Sequence, residues 1–178
     1  RATLAQVDRM DQLLEQLLQL ARIEKGVLKA TISEIDLGPL LLQVADRWKQ
    51  QPADHPINIT VAIAPGTKVE ADRICLEIML DNLVSNAVKY GRPNGHIQLS
   101  WQSATWELKV IDDGIGIPAA QLPYIFDRFY RADASRSSAI KGNGLGLSIV
   151  QKLANLQGIG VHVTSEEGQG TTFTLQFR

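Results

Sequence analysis

The chain has 178 residues, 44% of them hydrophobic and 21% charged, which is the composition of a globular protein with a substantial core. Its formal net charge of -1 provides no overall basic field, which argues against nucleic acid as a partner. The single cysteine, Cys75, excludes an internal disulfide bond and a thiolate metal cluster.

The first predicted element is a helix over residues 4–24, because its apolar positions alternate steps of three and four in a heptad seam. The seam consists of Leu4, Val7, Met10, Leu14, Leu17 and Ala21, and it is widened by Leu13, Leu18 and Leu20. One helix cannot bury such a face, so we expect a bundle or coiled-coil partner helix that this sequence does not contain. The helix is expected to stop at Gly26, and a first residue other than Met suggests a fragment of a longer protein.

The remainder, residues 28–178, is predicted to form one α/β domain. Its predicted elements are a strand at 32–37, a helix at 39–50, a strand at 57–63, a long helix at 72–90 with Asp72 as its N-cap, hairpin strands at 96–103 and 106–111, a helix at 145–156, and strands at 161–165 and 171–177. Residues 118–143 are predicted to be a long loop, and loops of this length are usually functional.

Three polar residues share one face of the long predicted helix. Asn82, Asn86 and Lys89 lie at helical spacing beside an apolar stripe formed by Leu76, Leu80, Leu83 and Ala87. An asparagine oxygen suits Mg²⁺, and a lysine suits phosphate. The alternative interpretation is a solvated helix face.

A second motif, VIDDGIGIP, follows a predicted strand directly. Asp112 can accept a hydrogen bond from an exocyclic amine, while Gly114 and Gly116 leave room for a flat ring to approach the backbone. The alternative interpretation is a strand end followed by an ordinary Asp-Gly turn.

A third motif, GNGLGLSIV, places three glycines in front of a helix. Gly142, Gly144 and Gly146 allow close approach to a backbone, and the N–H groups at the helix start can hold an anion. A plain helix-entry turn would use the same residues. The spacing matches neither the lysine-containing phosphate loop nor the dinucleotide fingerprint.

The long loop contains an aromatic pair, Phe126 and Phe129, that could anchor it to the domain. The cations around the pair could contact phosphates or a partner, although a solvated loop explains each of them equally well. These cations are Arg128, Arg131, Arg136 and Lys141.

Taken in order, these segments resemble the catalytic ATP-binding domain of sensor histidine kinases, in the Bergerat-fold superfamily that also includes DNA gyrase and the heat-shock chaperone ATPases. DNLVSNAVKYG (81–91) resembles the family's asparagine box and DDGIGIP (112–118) its first glycine box. FDRFYR (126–131) resembles its phenylalanine box, and GNGLGLSIV (142–150) its second glycine box.

The resemblance implies an α/β sandwich in which a mixed sheet packs on one layer of helices. It implies that residues 28–178 are the catalytic domain, and that residues 1–27 are the second helix of a dimerisation and phosphoacceptor hairpin. The loop at 118–143 would be an ATP lid.

The resemblance also implies site roles, with ATP and Mg²⁺ as cofactors. Asn86 would coordinate Mg²⁺ with Asn82 beside it, Lys89 would contact phosphate, and Tyr90 would flank the nucleotide. Asp112 would accept from the adenine amine, with Gly114 and Gly116 allowing the close approach. The phosphate-binding backbone would be provided by Gly142, Gly144 and Gly146, with Leu145 beginning the helix.

Asn82 occupies the position at which hydrolysing relatives carry a glutamate that activates water, and an amide cannot take that proton. Phosphoryl transfer to a protein histidine is therefore favoured over hydrolysis. Neither His55, His96 nor His162 has the sequence context of the family's acceptor, so the acceptor is expected elsewhere in the parent protein.

The implied partners are an acceptor hairpin, the receiver domain of a response regulator, and a second copy that pairs through the N-terminal helix. The implied location is the cytoplasmic part of a membrane sensor. Two alternatives remain: a catalytically degenerate interaction module and a Bergerat-type ATPase.

Overall fold

The computed structural model describes residues 3–51, 56–131 and 142–178. Helices and strands alternate along most of the chain. In order they are α1 (Leu4–Glu24), β1 (Ser33–Asp36), α2 (Leu37–Lys49), β2 (Asn58–Ala62), β3 (Lys68–Ala71), α3 (Arg73–Lys89), β4 (His96–Gln102), β5 (Glu107–Asp112), a short 3₁₀ helix (Leu122–Tyr124), α4 (Gly146–Gln157), β6 (Gly160–Glu166) and β7 (Gly170–Gln176).

The main sheet has five strands in the order β2-β4-β5-β7-β6. β2 runs parallel to β4, with Ile59 opposite Ile97, and the other neighbours are antiparallel. The predicted mixed sheet is therefore confirmed. β1 and β3 form a separate antiparallel pair, and β3 was not predicted because its four residues are too few for a clear alternation.

The core lies between the main sheet and the helices. Alternate residues of the central strands are buried on one face, as Val110 on β5 and Leu175 on β7 show. The predicted apolar stripe of α3 meets them, and Leu76, Leu80, Leu83 and Ala87 are all buried. The other face of α3 is thereby directed away from the sheet.

Asp72 fixes the start of α3, as predicted. Its Oδ1 accepts a hydrogen bond from the backbone N–H of Cys75 at 2.9 Å. Its Oδ2 accepts from the N–H of Thr31 at 2.7 Å, and its own N–H donates to Oε1 of Gln157 at 2.8 Å. One residue therefore joins the segment after α1, the start of α3 and the end of α4.

Helix α1 packs on the domain through Leu20, one of the residues that widen the predicted seam. Leu20 is only 2% exposed and belongs to the core, whereas Leu4 and Leu14 of the seam are 84% and 56% exposed. Within the described residues the seam has no covering helix. Gly26 has a φ of 66°, which agrees with the predicted stop. None of the helices in the described ranges has the length and apolar character needed to cross a membrane.

Candidate functional site

A cavity of about 1300 Å³ lies between α1, α3, the segment after β5 and the loop before α4. Nine of the eleven residues predicted for the site line it. They are Asn82, Asn86, Lys89, Tyr90, Asp112, Gly116, Gly142, Gly144 and Gly146. The cavity exceeds the usual volume of a small-molecule site because α1 adds an outer wall.

The polar face of α3 forms the floor of this cavity. The side-chain amide of Asn82 donates to the carbonyl of Ile78, one turn earlier on the same helix, at 2.9 Å. A Cβ at Gly146 would lie 2.8 Å from Oδ1 of Asn82, so the start of α4 approaches α3 at this point. Asn82 therefore contacts the start of α4 as well as facing the cavity.

Lys89 brings a positive charge to the cavity, and its side chain remains exposed to solvent. Partial desolvation by the surrounding protein lowers the pKa of its ammonium group, and the nearby charges of Arg131 and Arg9 lower this pKa further. Its Nζ lies 3.7 Å from the place that a Cβ of Gly142 would occupy. The ammonium group and the glycine backbone therefore border the same space, an arrangement suited to a phosphate.

Asp112 brings a buried carboxylate to the cavity from the end of β5. Its Oδ1 accepts from the N–H of Gly114 at 2.9 Å, and the N–H of Thr171 on the neighbouring strand also donates to the carboxylate. Burial raises the pKa of Asp112 to about 6, against the effect of these two hydrogen bonds. The carboxylate is thus a charged acceptor near neutral pH that has lost most of its water.

Gly114 lies behind the cavity wall, and the chain itself takes the space left by its missing side chain. A Cβ at this residue would lie 2.2 Å from the carbonyl oxygen of Tyr90. A side chain at this position would therefore collide with a backbone carbonyl, and the predicted approach of a flat ring to Gly114 stays a prediction. Gly116 does line the cavity, with a φ of 70°.

The glycine loop before α4 is joined to the phenylalanine segment. The N–H of Phe129 donates to the carbonyl of Gly144 at 2.9 Å, and a Cβ at Gly144 would lie 2.7 Å from the carbonyl carbon of Phe129. Leu145 immediately precedes α4 and its side chain is fully buried, so only its backbone is available to a ligand.

Only one member of the predicted aromatic pair is an anchor. Phe126 packs edge-on against Phe173 with ring centroids 6.3 Å apart, whereas Phe129 is 58% exposed with a φ of 59°. Tyr130 packs on the core in its place. The predicted contributions of Arg136 and Lys141 lie outside the described residues, as does His55.

Sequence reasoning missed two contributions to the cavity. Thr171 lies opposite Asp112 in the strand register and is buried beside it. The alternation of β7 could have predicted the side of the sheet on which Thr171 lies, but no sequence motif marked Thr171 as a site residue. Arg9 and Gln16 of α1 also line the cavity, and no local pattern relates a heptad helix to a distant glycine loop.

The residues that could hold a metal ion are few. No cluster of three His, Cys, Asp or Glu side chains in the described part of the chain could bind one. A Mg²⁺ ion that is bound to phosphates needs few protein ligands. Asn86 lines the cavity, and its side-chain oxygen is of the kind that coordinates Mg²⁺.

The helix layer, the mixed sheet and the cavity bordered by α3 define an α/β domain with a large, partly polar cavity. Residues 71–178 match the family described as histidine kinase-, DNA gyrase B- and HSP90-like ATPases, and the chain belongs to this family.

Its relatives are sensor histidine kinases. The chain is 35% identical over 171 residues to sensor histidine kinase YkoH of Bacillus subtilis, covering 94% of this chain and 36% of that protein. It is 32% identical over 179 residues to sensor histidine kinase WalK of the same organism, covering 97% and 29% respectively. The crystal structure of full-length ShkA in complex with AMPPNP superposes with a TM-score of 0.80 at 28% identity, covering 96% of this chain and 36% of that one.

These similarities confirm the predicted fold and identify the chain as an ATP-binding catalytic domain of the sensor histidine kinase type. The chain spans about a third of the length of the curated relatives it matches.

Proposed function

We propose that this domain binds ATP together with Mg²⁺ and transfers the terminal phosphoryl group to a histidine on a separate helical hairpin. The observation that supports it best is the convergence of Asp112, Asn86 and Lys89 on one cavity. These residues come from a strand end and a helix that are distant in sequence, and each offers a different chemical group.

The residues fit an adenine nucleotide. Asp112 is a buried acceptor for an exocyclic amine, and Tyr90 would flank the base or sugar. Lys89 and the backbone N–H groups of the loop at Gly142, Gly144 and Gly146 would hold the phosphates. The ShkA structure, whose printed description includes AMPPNP, supports the same type of ligand for this chain.

Mg²⁺ would be held by Asn86, with the phosphates and water completing its coordination. The bound nucleotide supplies a phosphoryl group that passes from the β-phosphate oxygen to a histidine nitrogen, with ADP as the leaving group. The chain's own residues position the phosphates and neutralise their charge.

Asn82 supports transfer to protein over transfer to water. Its amide donates to the Ile78 carbonyl, and an amide has no basic group with which to activate a water molecule. The residue lies one helical turn before Asn86, where it borders the proposed phosphate site.

The chain spans only part of the length of its relatives, so its place in a longer protein is part of the proposal. We propose that residues 1–27 belong to the hairpin, residues 28–178 form the catalytic domain, and the seam of α1 pairs with a second copy. The receiver domain of a response regulator would be the downstream partner, and the parent protein would be a membrane sensor with this part in the cytoplasm.

Isothermal titration with ATP, with and without Mg²⁺, tests the nucleotide site. We expect binding by the wild-type chain and a loss of at least about tenfold in Asp112→Asn, since one charge-assisted hydrogen bond is worth about 1.5–3 kcal/mol. Asp113→Asn is the matched control, because that neighbouring carboxylate accepts from the N–H of His96 at 2.8 Å. Unchanged affinity in Asp112→Asn would contradict the proposed base contact.

Phosphate transfer is tested by mixing the chain with γ-labelled ATP and a separately produced acceptor hairpin from a relative. We expect label on the hairpin histidine and none on a hairpin in which that histidine is replaced. Rapid turnover of ATP without any hairpin, on the order of 1 per second, would favour an ATPase instead. Binding without either reaction would favour a degenerate interaction module.

A further inference from the structure

Helix α1 is attached to the catalytic domain at several points along one side. Leu20 is buried in the core, and near the end of the helix Glu24 pairs with Arg128 and, at 3.5 Å, with Lys152. One turn before Leu20, Oε1 of Gln16 accepts a weak hydrogen bond of 3.4 Å from the side-chain amide of Asn143. Asn143 lies between Gly142 and Gly144 in the loop before α4.

The same side of α1 carries Arg9. At about 100° per residue, Arg9, Gln16 and Leu20 point within roughly 40° of one another. Because Leu20 faces the domain, Arg9 faces it as well, about two turns beyond the contact with Asn143. Both Arg9 and Gln16 line the cavity that contains Asn86 and Lys89.

Arg9 shares the cavity with other cations. Arg9, Lys89 and Arg131 come from three segments and all line it, and the charges of Arg131 and Arg9 lower the pKa of the Lys89 ammonium group. Acidic residues also line the cavity, Asp8 and Glu15 of α1 and Glu167 among them, but none of these three is among the charges that shift the pKa of Lys89. The charges of Arg9 and Lys89 repel one another, and an anion with several charges placed between these two residues would remove that repulsion.

We propose that α1 completes the nucleotide site, with Arg9 binding the terminal phosphate of ATP and Gln16 acting as a positioning residue that holds Asn143. This inference rests on the proposed function, since it assigns further residues to the same site. The helix that would belong to the hairpin therefore touches the nucleotide directly, and a triphosphate connects it to the catalytic domain.

A consequence follows from thermodynamic reciprocity. If the terminal phosphate binds more tightly when α1 is docked, then ATP strengthens the docking of α1 by the same factor. ADP lacks the group that Arg9 contacts, so its affinity should be independent of this residue.

The test is isothermal titration of the whole chain with AMPPNP and with ADP, both with Mg²⁺. We expect Arg9→Gln to weaken AMPPNP about five- to tenfold while ADP changes less than about twofold, as for the loss of one partly solvated charge contact. Arg9→Lys keeps the charge and should recover most of the affinity. Lys25→Gln removes one positive charge from an exposed position directly after α1 and outside the cavity, and should leave both affinities unchanged.

Three outcomes would overturn the inference. Equal AMPPNP affinity in wild type and Arg9→Gln would show that α1 does not reach the phosphates. Equal weakening of AMPPNP and ADP, or equal losses in Arg9→Gln and Lys25→Gln, would show a general charge effect. Failure of the wild-type chain to bind either nucleotide would instead contradict the proposed function, and this inference with it.

Discussion

The carbonyl oxygen of Tyr90 accepts a hydrogen bond from the backbone N–H of Ile115 at 3.0 Å. Tyr90 directly follows α3, which carries Asn86 and Lys89, and Ile115 lies three residues after Asp112 at the end of β5. This bond therefore fixes the distance between the two groups of residues that we assign to the phosphates and to the base. Gly114, between Asp112 and Ile115, makes the close approach possible.

We expect Gly114→Ala to disrupt this connection. The new Cβ would lie 2.2 Å from the Tyr90 carbonyl oxygen, and a backbone atom cannot move away as a side chain could. The free energy of unfolding should fall by about 2–3 kcal/mol, and ATP binding should be lost or strongly weakened. Urea unfolding and isothermal titration measure the two effects.

Gly38→Ala is the control for this substitution. Gly38 lies in the first turn of α2, where the nearest atom to a new Cβ would be Oδ1 of Asp36 at 3.8 Å. Alanine favours the helix by up to about 1 kcal/mol, so the control should be neutral or stabilising. An equal fall in the free energy of unfolding in Gly114→Ala and Gly38→Ala would show that the collision with the Tyr90 carbonyl oxygen is not the cause.

Asp112 makes stability depend on pH. Burial raises the pKa of its carboxyl to about 6 in the folded protein, whereas the pKa of an unfolded aspartate is about 3.9. The folded state therefore holds the proton more tightly, so this residue's contribution is fully present below about pH 4 and is lost as the pH rises through about 6.

Replacement of Asp112 by asparagine removes that charge. We expect Asp112→Asn to raise the free energy of unfolding by about 1–3 kcal/mol at about pH 8, and by much less at about pH 4. Urea unfolding of both proteins across this range measures the difference. A variant that is less stable than wild type at about pH 8 would show that the carboxylate is better solvated than its burial indicates.

The parts of this fold that were predictable depend on local chemistry. Asp72 could be recognised as an N-cap because an aspartate before an apolar helical stripe satisfies its own neighbouring N–H groups. The polar side of α3 and the carboxylate of Asp112 were likewise visible, since each combines a local pattern with an unusual residue type.

The parts that were not predictable depend on contacts between distant segments. Periodicity shows that α1 has an apolar seam, but it cannot show that Leu20, beside the seam, joins the core while Leu14 stays exposed. Pairing of β3 with β1, and the position of Arg9 on the same cavity as Lys89, are decided by tertiary packing for the same reason. For Gly114 the sequence predicted the residue's importance and missed its neighbour, the Tyr90 carbonyl.

Helix α1 should depend on Leu20 for its attachment to the domain. Leu20→Ala removes a side chain that is 2% exposed, and such truncations cost about 2–5 kcal/mol. Because α1 is at the edge of the molecule, we expect the loss to appear first as faster hydrogen exchange of the α1 amides. Leu17→Ala, at a seam position that is 39% exposed, should change exchange in the monomer very little.

The seam itself should pair with another helix. Its exposed residues, Met10 and Leu14 among them, form a continuous apolar surface of the kind that monomeric proteins rarely leave uncovered. Light scattering over a range of concentrations should show self-association that Leu14→Glu abolishes, whereas Glu15→Gln should preserve it. A strict monomer at every concentration would contradict pairing between copies of this chain.

Cys75 should report the opening of the core around α3. Burial raises the pKa of its thiol to about 12, and the carboxylate of Asp72 adds to the effect. At about pH 8 the thiolate fraction in the folded state is then on the order of 10⁻⁴, so iodoacetamide should react only after local or global opening. Labelling followed by mass spectrometry should be slow in buffer, faster in moderate urea, and complete in concentrated guanidinium chloride. With glutathione as the free-thiol reference, labelling of the native chain at the reference rate would show that Cys75 is accessible and that the start of α3 opens readily.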